Sequence, residues 1–139
     1  MVKWKNKLQE KEGAGLIESA IGILIACLVM ACILQTISVM VYKYQMGICA
    51  DKVAGIVSVS GKYDQSVRNE IQDYLTSTNL KNPQIELNGT EYLNGTAKIQ
   101  LNDRIKVTVL SSYNIGFSFF TIPISLRNVS QSRSEVYWK

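Results

Sequence analysis

The chain has 139 residues and a net charge of +4, enough for one small core and too little positive charge for nucleic acid to be its main partner. It contains no histidine, which excludes Ser-His-Asp and Cys-His nucleophile arrangements and histidine-ligated metal sites. Its acidic residues are scattered without a catalytic motif and it has no phosphate-cradling glycine loop, so no catalytic, metal or cofactor residues are expected.

Residues 1–12 form a polar leader in which Lys3, Lys5, Lys7 and Lys11 outweigh Glu10 and Glu12. Beyond it Glu18 is the one charge before Lys43, and Ser19 to Tyr42 are 24 uncharged residues. As a helix this run spans roughly 36 Å, enough to cross a hydrocarbon core of about 30 Å. The preceding lysines predict an inside N-terminus and an outside C-terminal part in the cytoplasmic membrane. A cleaved secretory signal is the competing reading, but the run exceeds the usual ~7–15 residue apolar region of such signals. Cys27 and Cys32 lie within the run and read as small packing residues. Cys49 beyond it is free either to pack or to crosslink copies.

Glu18 stands out, because a carboxylate at the entrance of an apolar helix needs either headgroup water or a cation. Cutting after Gly13 would free an amine on Ala14 and make Glu18 the fifth residue of the new chain. The stretch Gly13-Ala14-Gly15-Leu16-Ile17-Glu18, set between a basic leader and an apolar helix, resembles the start of type IV pilin superfamily precursors. Its small residues after Gly13 are most similar to the TadE-type pseudopilins. Ala14 stands where Phe or Met is common, and Gln35 where many major pilins have a helix-kinking proline. The resemblance implies a processing site at Gly13 and Ala14 for a prepilin peptidase. It also implies assembly through Leu16, Ile17 and Glu18, with Glu18 pairing with the amine of an adjacent subunit on a pilus assembly platform. Cleavage would remove four Lys and two Glu, taking the net charge from +4 to +2.

Apolar residues keep helical spacing past Tyr42, which predicts one helix over about 16–58. Ile48, Val53, Ile56 and Val57 would face a soluble domain, with Lys43, Asp51 and Lys52 facing water. Ser60-Gly61 ends it. Asp64 reads as the N-cap of a second helix over 65–77, with Val67, Ile71, Tyr74 and Leu75 on its packed face.

From Pro83 the period becomes two. Segments at 85–87, 90–93, 97–101 and 104–110, separated by Asn88-Gly89, Asn94-Gly95 and Asn102-Asp103, predict an antiparallel meander. Ile99, Leu101, Ile105, Val107 and Val109 would share its buried face, opposite Lys98, Gln100, Lys106 and Thr108. The Asn-Gly-Thr triplets also match glycosylation acceptors, but turns account for their glycines. Phe117, Phe119, Phe120, Ile122 and Ile124 form the most apolar patch outside the membrane run. It is expected to pack on the helix, the alternative being a docking patch for the next subunit. Pro123 argues against a central strand there. Residues 126–138 read as a last strand whose Ser134-Glu135 pair loosely resembles TadE-like chain ends, with Tyr137 and Trp138 capping the core.

The expectation is an α+β, pilin-like chain with a leader at 1–13, a transmembrane and assembly helix at 14–42, and a soluble domain at 43–139. It would be a structural subunit, not an enzyme, with the membrane, a prepilin peptidase and other pilin-like subunits as partners. The alternative is an unprocessed, membrane-anchored module that binds a protein or ligand.

Overall fold

The structure, a computed structural model, describes residues 2–117 and 120–139, with side chains described for 15–116 and 120–139. The chain is α+β. Helix α1 (Val2–Ser60) is followed by α2 (Gln65–Ser77) and by strands β1 (Gln84–Glu86), β2 (Arg104–Phe117) and β3 (Phe120–Arg133). The strands form one antiparallel meander in the order β1-β2-β3. The chain divides into two compact units, Met1–Ser38 and Val39–Lys139.

The core of the second unit is built on the C-terminal third of α1. Tyr42, Met46, Cys49, Ala50, Val53, Ala54 and Val57 recur at helical spacing and are all buried. They share one cluster with Val67, Ile71 and Leu75 of α2, with Leu80 and Ile99, and with Ile105, Val107 and Val109 of β2. Each fully buried Val, Ile or Met side chain contributes about 1.5–3 kcal/mol, so this seam is the main stabilising contact of the unit. Cys49 lies inside it, and burial pushes its thiol pKa up, which leaves no surface thiol there for crosslinking copies. Val53 and Val57 face the core as expected, whereas Ile48 is exposed.

Helix α1 ends where the chain must turn left. The Gly61 N–H donates to the Val57 carbonyl at 2.9 Å with φ +60° at Gly61, the usual glycine termination of a helix. A Cβ at Gly61 would also overlap the side chain of Val136. The Gly61 carbonyl accepts both the Ile99 N–H at 2.8 Å and the indole N–H of Trp138 at 3.0 Å. Trp138 is held in turn by Gln100, whose side chain exchanges two hydrogen bonds with its backbone, and by Lys98 over its ring. Trp138 thus covers the end of α1, while Tyr137 is exposed.

Asp64 caps α2 as expected, accepting from the Val67 N–H at 3.1 Å. Lys62 bonds and pairs with the same carboxylate, and with help from Ser66 and the Val67 N–H it holds the Asp64 pKa well below the usual carboxylate range. Val67, Ile71 and Leu75 are buried, and Arg68, Glu70 and Asp73 are exposed.

The sheet departs from the expected strand list. Residues 90–93 and 97–101 are not strands: the Asn-Gly turns form, with positive φ at Gly89, Asn94 and Gly95, but the pieces between them are too short to run as a ladder. Instead, the Thr90 hydroxyl bridges the Lys106 N–H and carbonyl at 3.1 and 3.3 Å, and Lys98 pairs with Lys62 in the α1–α2 connection. Ile99 is buried in this way without a strand, whereas Leu101 falls on a turn and is exposed. Thr108 is buried because β2 is the central strand and Thr108 sits between Glu86 and Val129.

The expected patch at 117–124 and the last strand at 126–138 merge into one element, β3, which ends at Arg133. Pro123 is accommodated because β3 is an edge strand. Phe120 and Ile122 are exposed, so the expected packing of this patch on the helix does not occur for them: they lie beyond the core seam, near the hairpin end. The Phe117 side chain and Phe119 lie outside the described residues. Ser134 folds inward, its hydroxyl donating to the Ile99 carbonyl at 3.1 Å, while Glu135 N–H donates to Ser58. The Ser134-Glu135 pair is therefore a tie between the chain end and α1.

One partly buried hydrogen-bonded ring locks one end of this unit. Lys81 N–H donates to the Tyr42 hydroxyl at 2.8 Å, Tyr42 shares a 2.7 Å bond with the Ser111 hydroxyl, and Ser111 donates to the Lys81 carbonyl at 2.6 Å. Every polar atom in the ring is satisfied, which is what makes a tyrosine oxygen tolerable there. Tyr42→Phe orphans the Lys81 N–H and should cost about 1–3 kcal/mol, read as a lower denaturation midpoint of the detergent-solubilised full chain. For Asp64, a depressed folded pKa means its stabilisation is full above the unfolded value of about 3.9 and is lost as pH falls below it toward the folded value. Asp64→Asn, which can still cap, should flatten the stability profile below pH 4.

Candidate functional site

The candidate site is a surface, the N-terminal unit of α1. Its residues do not suit water: Ile23, Leu24 and Ile25 are successive around the helix and are 66%, 65% and 55% exposed. Since each residue turns the helix by about 100°, apolar side chains point outward in every direction. A helix that is apolar all round is stable when lipid or other helices surround it. Among the described residues there is one helix, within Gly15–Ser60, long and apolar enough to cross a membrane, as single-pass anchoring requires.

The polar groups within this surface are managed inside the helix. Ser19 donates to the Gly15 carbonyl at 2.8 Å, Thr36 to that of Cys32 at 2.9 Å and Ser38 to that of Leu34 at 3.0 Å. Each hydroxyl proton therefore enters hydrocarbon already bonded, which removes most of the penalty of a bare donor there. Sequence reading passed over these three residues. The signal was available, because serine or threonine in a helix always has a carbonyl four residues back within reach.

Glu18 has no such internal solution. It is exposed, and among the described residues it makes no ion pair. Leu16 and Ile17 beside it are 74% and 64% exposed, so all three lie on open surface. Gly13 and Ala14 fall within the helical span of α1, which runs on through the leader instead of starting at Leu16; their side-chain surroundings lie outside the described residues. Gly15, Ser19, Gly22 and Ala26 follow one another at spacings of four, three and four, which places them on one side of the helix next to Glu18. A Cβ built at Gly15 or Gly22 meets nothing within 4 Å, so the backbone is open to close approach along this side.

The Val39–Lys139 unit offers no comparable chemistry among its described residues. An open cleft is lined by Tyr63, Arg68, Leu87, Asn88, Tyr92 and Thr96, with the Arg68 guanidinium 4.7 Å from the centre of the Tyr63 ring. Burial pushes the Tyr92 pKa up, so the phenol stays protonated at neutral pH. Among the described residues no three His, Cys, Asp or Glu side chains come together as a metal site would need.

Fold and surface together define a chain whose one candidate membrane-spanning helix, consistent with single-pass anchoring, is part of the same helix α1 that supplies the core of a small α+β unit. The sequence pattern of the family described as Domain of unknown function (DUF4320) matches residues 23–139, and the chain belongs to that family. The matched stretch takes in most of the apolar run and all of the α+β unit, and begins after Glu18. Neither the curated proteins nor the solved structures include a match.

Proposed function

We propose that this protein is a pilin-like, TadE-type structural subunit, cut by a prepilin peptidase after Gly13 and assembled with other copies or related subunits into a pilus or pseudopilus. The observation that carries this reading is the helix surface. An all-round apolar helix bears one carboxylate at its entrance, with a strip of small residues alongside, and its far end backs an antiparallel sheet.

The physical logic runs from each part. The precursor waits in the membrane, where lipid covers the apolar surface. Gly13 and Gly15 flank Ala14, and glycine is about 1 kcal/mol less favourable than alanine inside a helix, so the bond after Gly13 lies where local unwinding for a peptidase costs least. Cleavage leaves the new amine four residues from Glu18. In a bundle of copies, close approach along Gly15, Ser19, Gly22 and Ala26 brings backbones together, and only one axial stagger gives each Glu18 a neighbour's amine as its cation. The rest of the apolar surface then packs without specificity, and the pair sets the register. The partners are the membrane, the peptidase, the other subunits and the assembly platform. Nothing in the arrangement calls for a cofactor or for catalysis by this chain.

Mass spectrometry of the membrane-associated protein, expressed with and without a cognate prepilin peptidase, tests the reading. The expected result is a start at Ala14 that needs the peptidase and disappears in a Gly13→Leu variant. A start at Met1 in every case would leave an unprocessed anchored domain and overturn the proposal.

A further inference from the structure

We propose that the end of the β2–β3 hairpin is a second membrane contact, in which Ile115, Phe120, Ile122 and Ile124 enter the lipid headgroup boundary at the end of the soluble unit where α1 arrives. The inference rests on membrane anchoring by α1 but not on processing or assembly.

Placement comes from contacts inside the Val39–Lys139 unit. Followed from Arg133 toward Asn128, β3 bonds to progressively earlier positions of α1: Ser58 to the Arg133 carbonyl, Ser130 to Asp51 at 2.6 Å, and Asn128 to the Lys43 carbonyl at 3.2 Å. Tyr42 then meets Ser111 at 2.7 Å and packs against Tyr113 with ring centres 4.8 Å apart and the rings tilted by 46°. The hairpin continues past this level. Phe120 pairs with Phe117, four register steps beyond the Tyr113–Ile124 pair, or about 13 Å at ~3.3 Å per residue. Within the same unit α1 extends only from Tyr42 to Val39, about 4.5 Å. Inside this unit the hairpin end therefore extends further than α1 does in the direction of the first residues of that unit. Counting about 20 residues of helix for a ~30 Å core from Glu18 ends the span near Ser38, the residue before this unit begins.

Composition agrees. No charged residue occurs in 107–126, between Lys106 and Arg127, although both strands carry arginine or lysine at their other ends. Phe120 and Ile122 are 62% and 52% exposed, and the pairs Ile115–Ile122 and Tyr113–Ile124 place their partners on the same face. In water these side chains gain nothing, whereas at a lipid boundary each recovers part of its burial energy. Pro123 on the free edge has no N–H to leave unsatisfied, but the remaining open backbone groups of β3 need water or headgroups. That limit keeps the hairpin at the boundary and out of the hydrocarbon centre. Tyr44, with 71% exposure, is the residue type that sits at such boundaries.

The test uses the full chain in phosphatidylcholine vesicles carrying a diazirine on the acyl chain, with lipid adducts mapped after photolysis and trypsin digestion. Trypsin gives two informative peptides, 12–43 from α1 and 107–127 from the hairpin. The expected result is adducts on both. In Phe120→Ser/Ile122→Ser, whose changed residues are outside the core, adducts on 107–127 should fall several-fold while those on 12–43 stay constant. Adducts on 12–43 alone overturn the proposal and leave the anchor standing; adducts on neither remove the anchor and the proposal together. Adducts on 107–127 that the double variant does not reduce also overturn it.

Discussion

The structure depends on a single constraint: one unbroken helix must satisfy two solvents in succession. From Ser19 to Tyr42 the side chains of α1 are apolar on all sides, and from Tyr42 to Val57 they are apolar on one side only. Tyr42 is the first buried residue of α1 among those described. The packing of the Val39–Lys139 unit follows from the second pattern. The seam through Met46, Val53 and Val57 is where α2 and β2 bury their own apolar faces, and the chain end returns through Ser134 and Trp138 to close the top of the same helix. Tyr42 marks the transition, with its ring packed and its hydroxyl holding Lys81 and Ser111.

The first pattern accounts for the proposed role. A helix apolar all round is stable in lipid, yet lipid offers nothing to distinguish one depth or neighbour from another. Ser19, Thr36 and Ser38 do not break this degeneracy, because their hydroxyls are already bonded to their own backbone. Glu18 does break it, since a carboxylate near the apolar boundary has few places where its charge is compensated. The small residues beside it determine which side of the helix another can approach. On this view the energy of association comes from packing along the whole helix, and its register comes from one residue.

Much of this could be read in the sequence. The C-terminal end of α1, its change of pattern at Tyr42, the Asp64 cap and the buried alternation of Ile105, Val107 and Val109 all follow from local rules that nothing in the fold opposes, whereas the start of α1 does not, since the helix runs on through the leader. The failures are instructive in the same terms. Asn-Gly turns at 88–89 and 94–95 formed, but alternation around them was taken for strands, when side-chain bonds such as Thr90 to Lys106 could satisfy the same backbone. The exposure of Phe120 was missed because hydrophobicity alone says that a side chain avoids water, and does not say whether protein or lipid takes water's place. The Tyr42–Ser111–Lys81 ring joins residues far apart in sequence, and no spacing rule could have found it. For the candidate site, Glu18 and the glycines were legible as residues out of place, while the openness of the surface around them became visible only in three dimensions.

The central claim is that Glu18 is compensated by the amine of a neighbouring copy. The most direct measurement is zero-length coupling in the native membrane with a membrane-soluble carbodiimide, which joins a carboxylate to an amine as an amide with loss of water, followed by mass spectrometry of the coupled peptides. The account requires an amide between Glu18 of one copy and the Ala14 amine of another. Assembled subunits in which Glu18 is never coupled to that amine, while other carboxylates react, would contradict it.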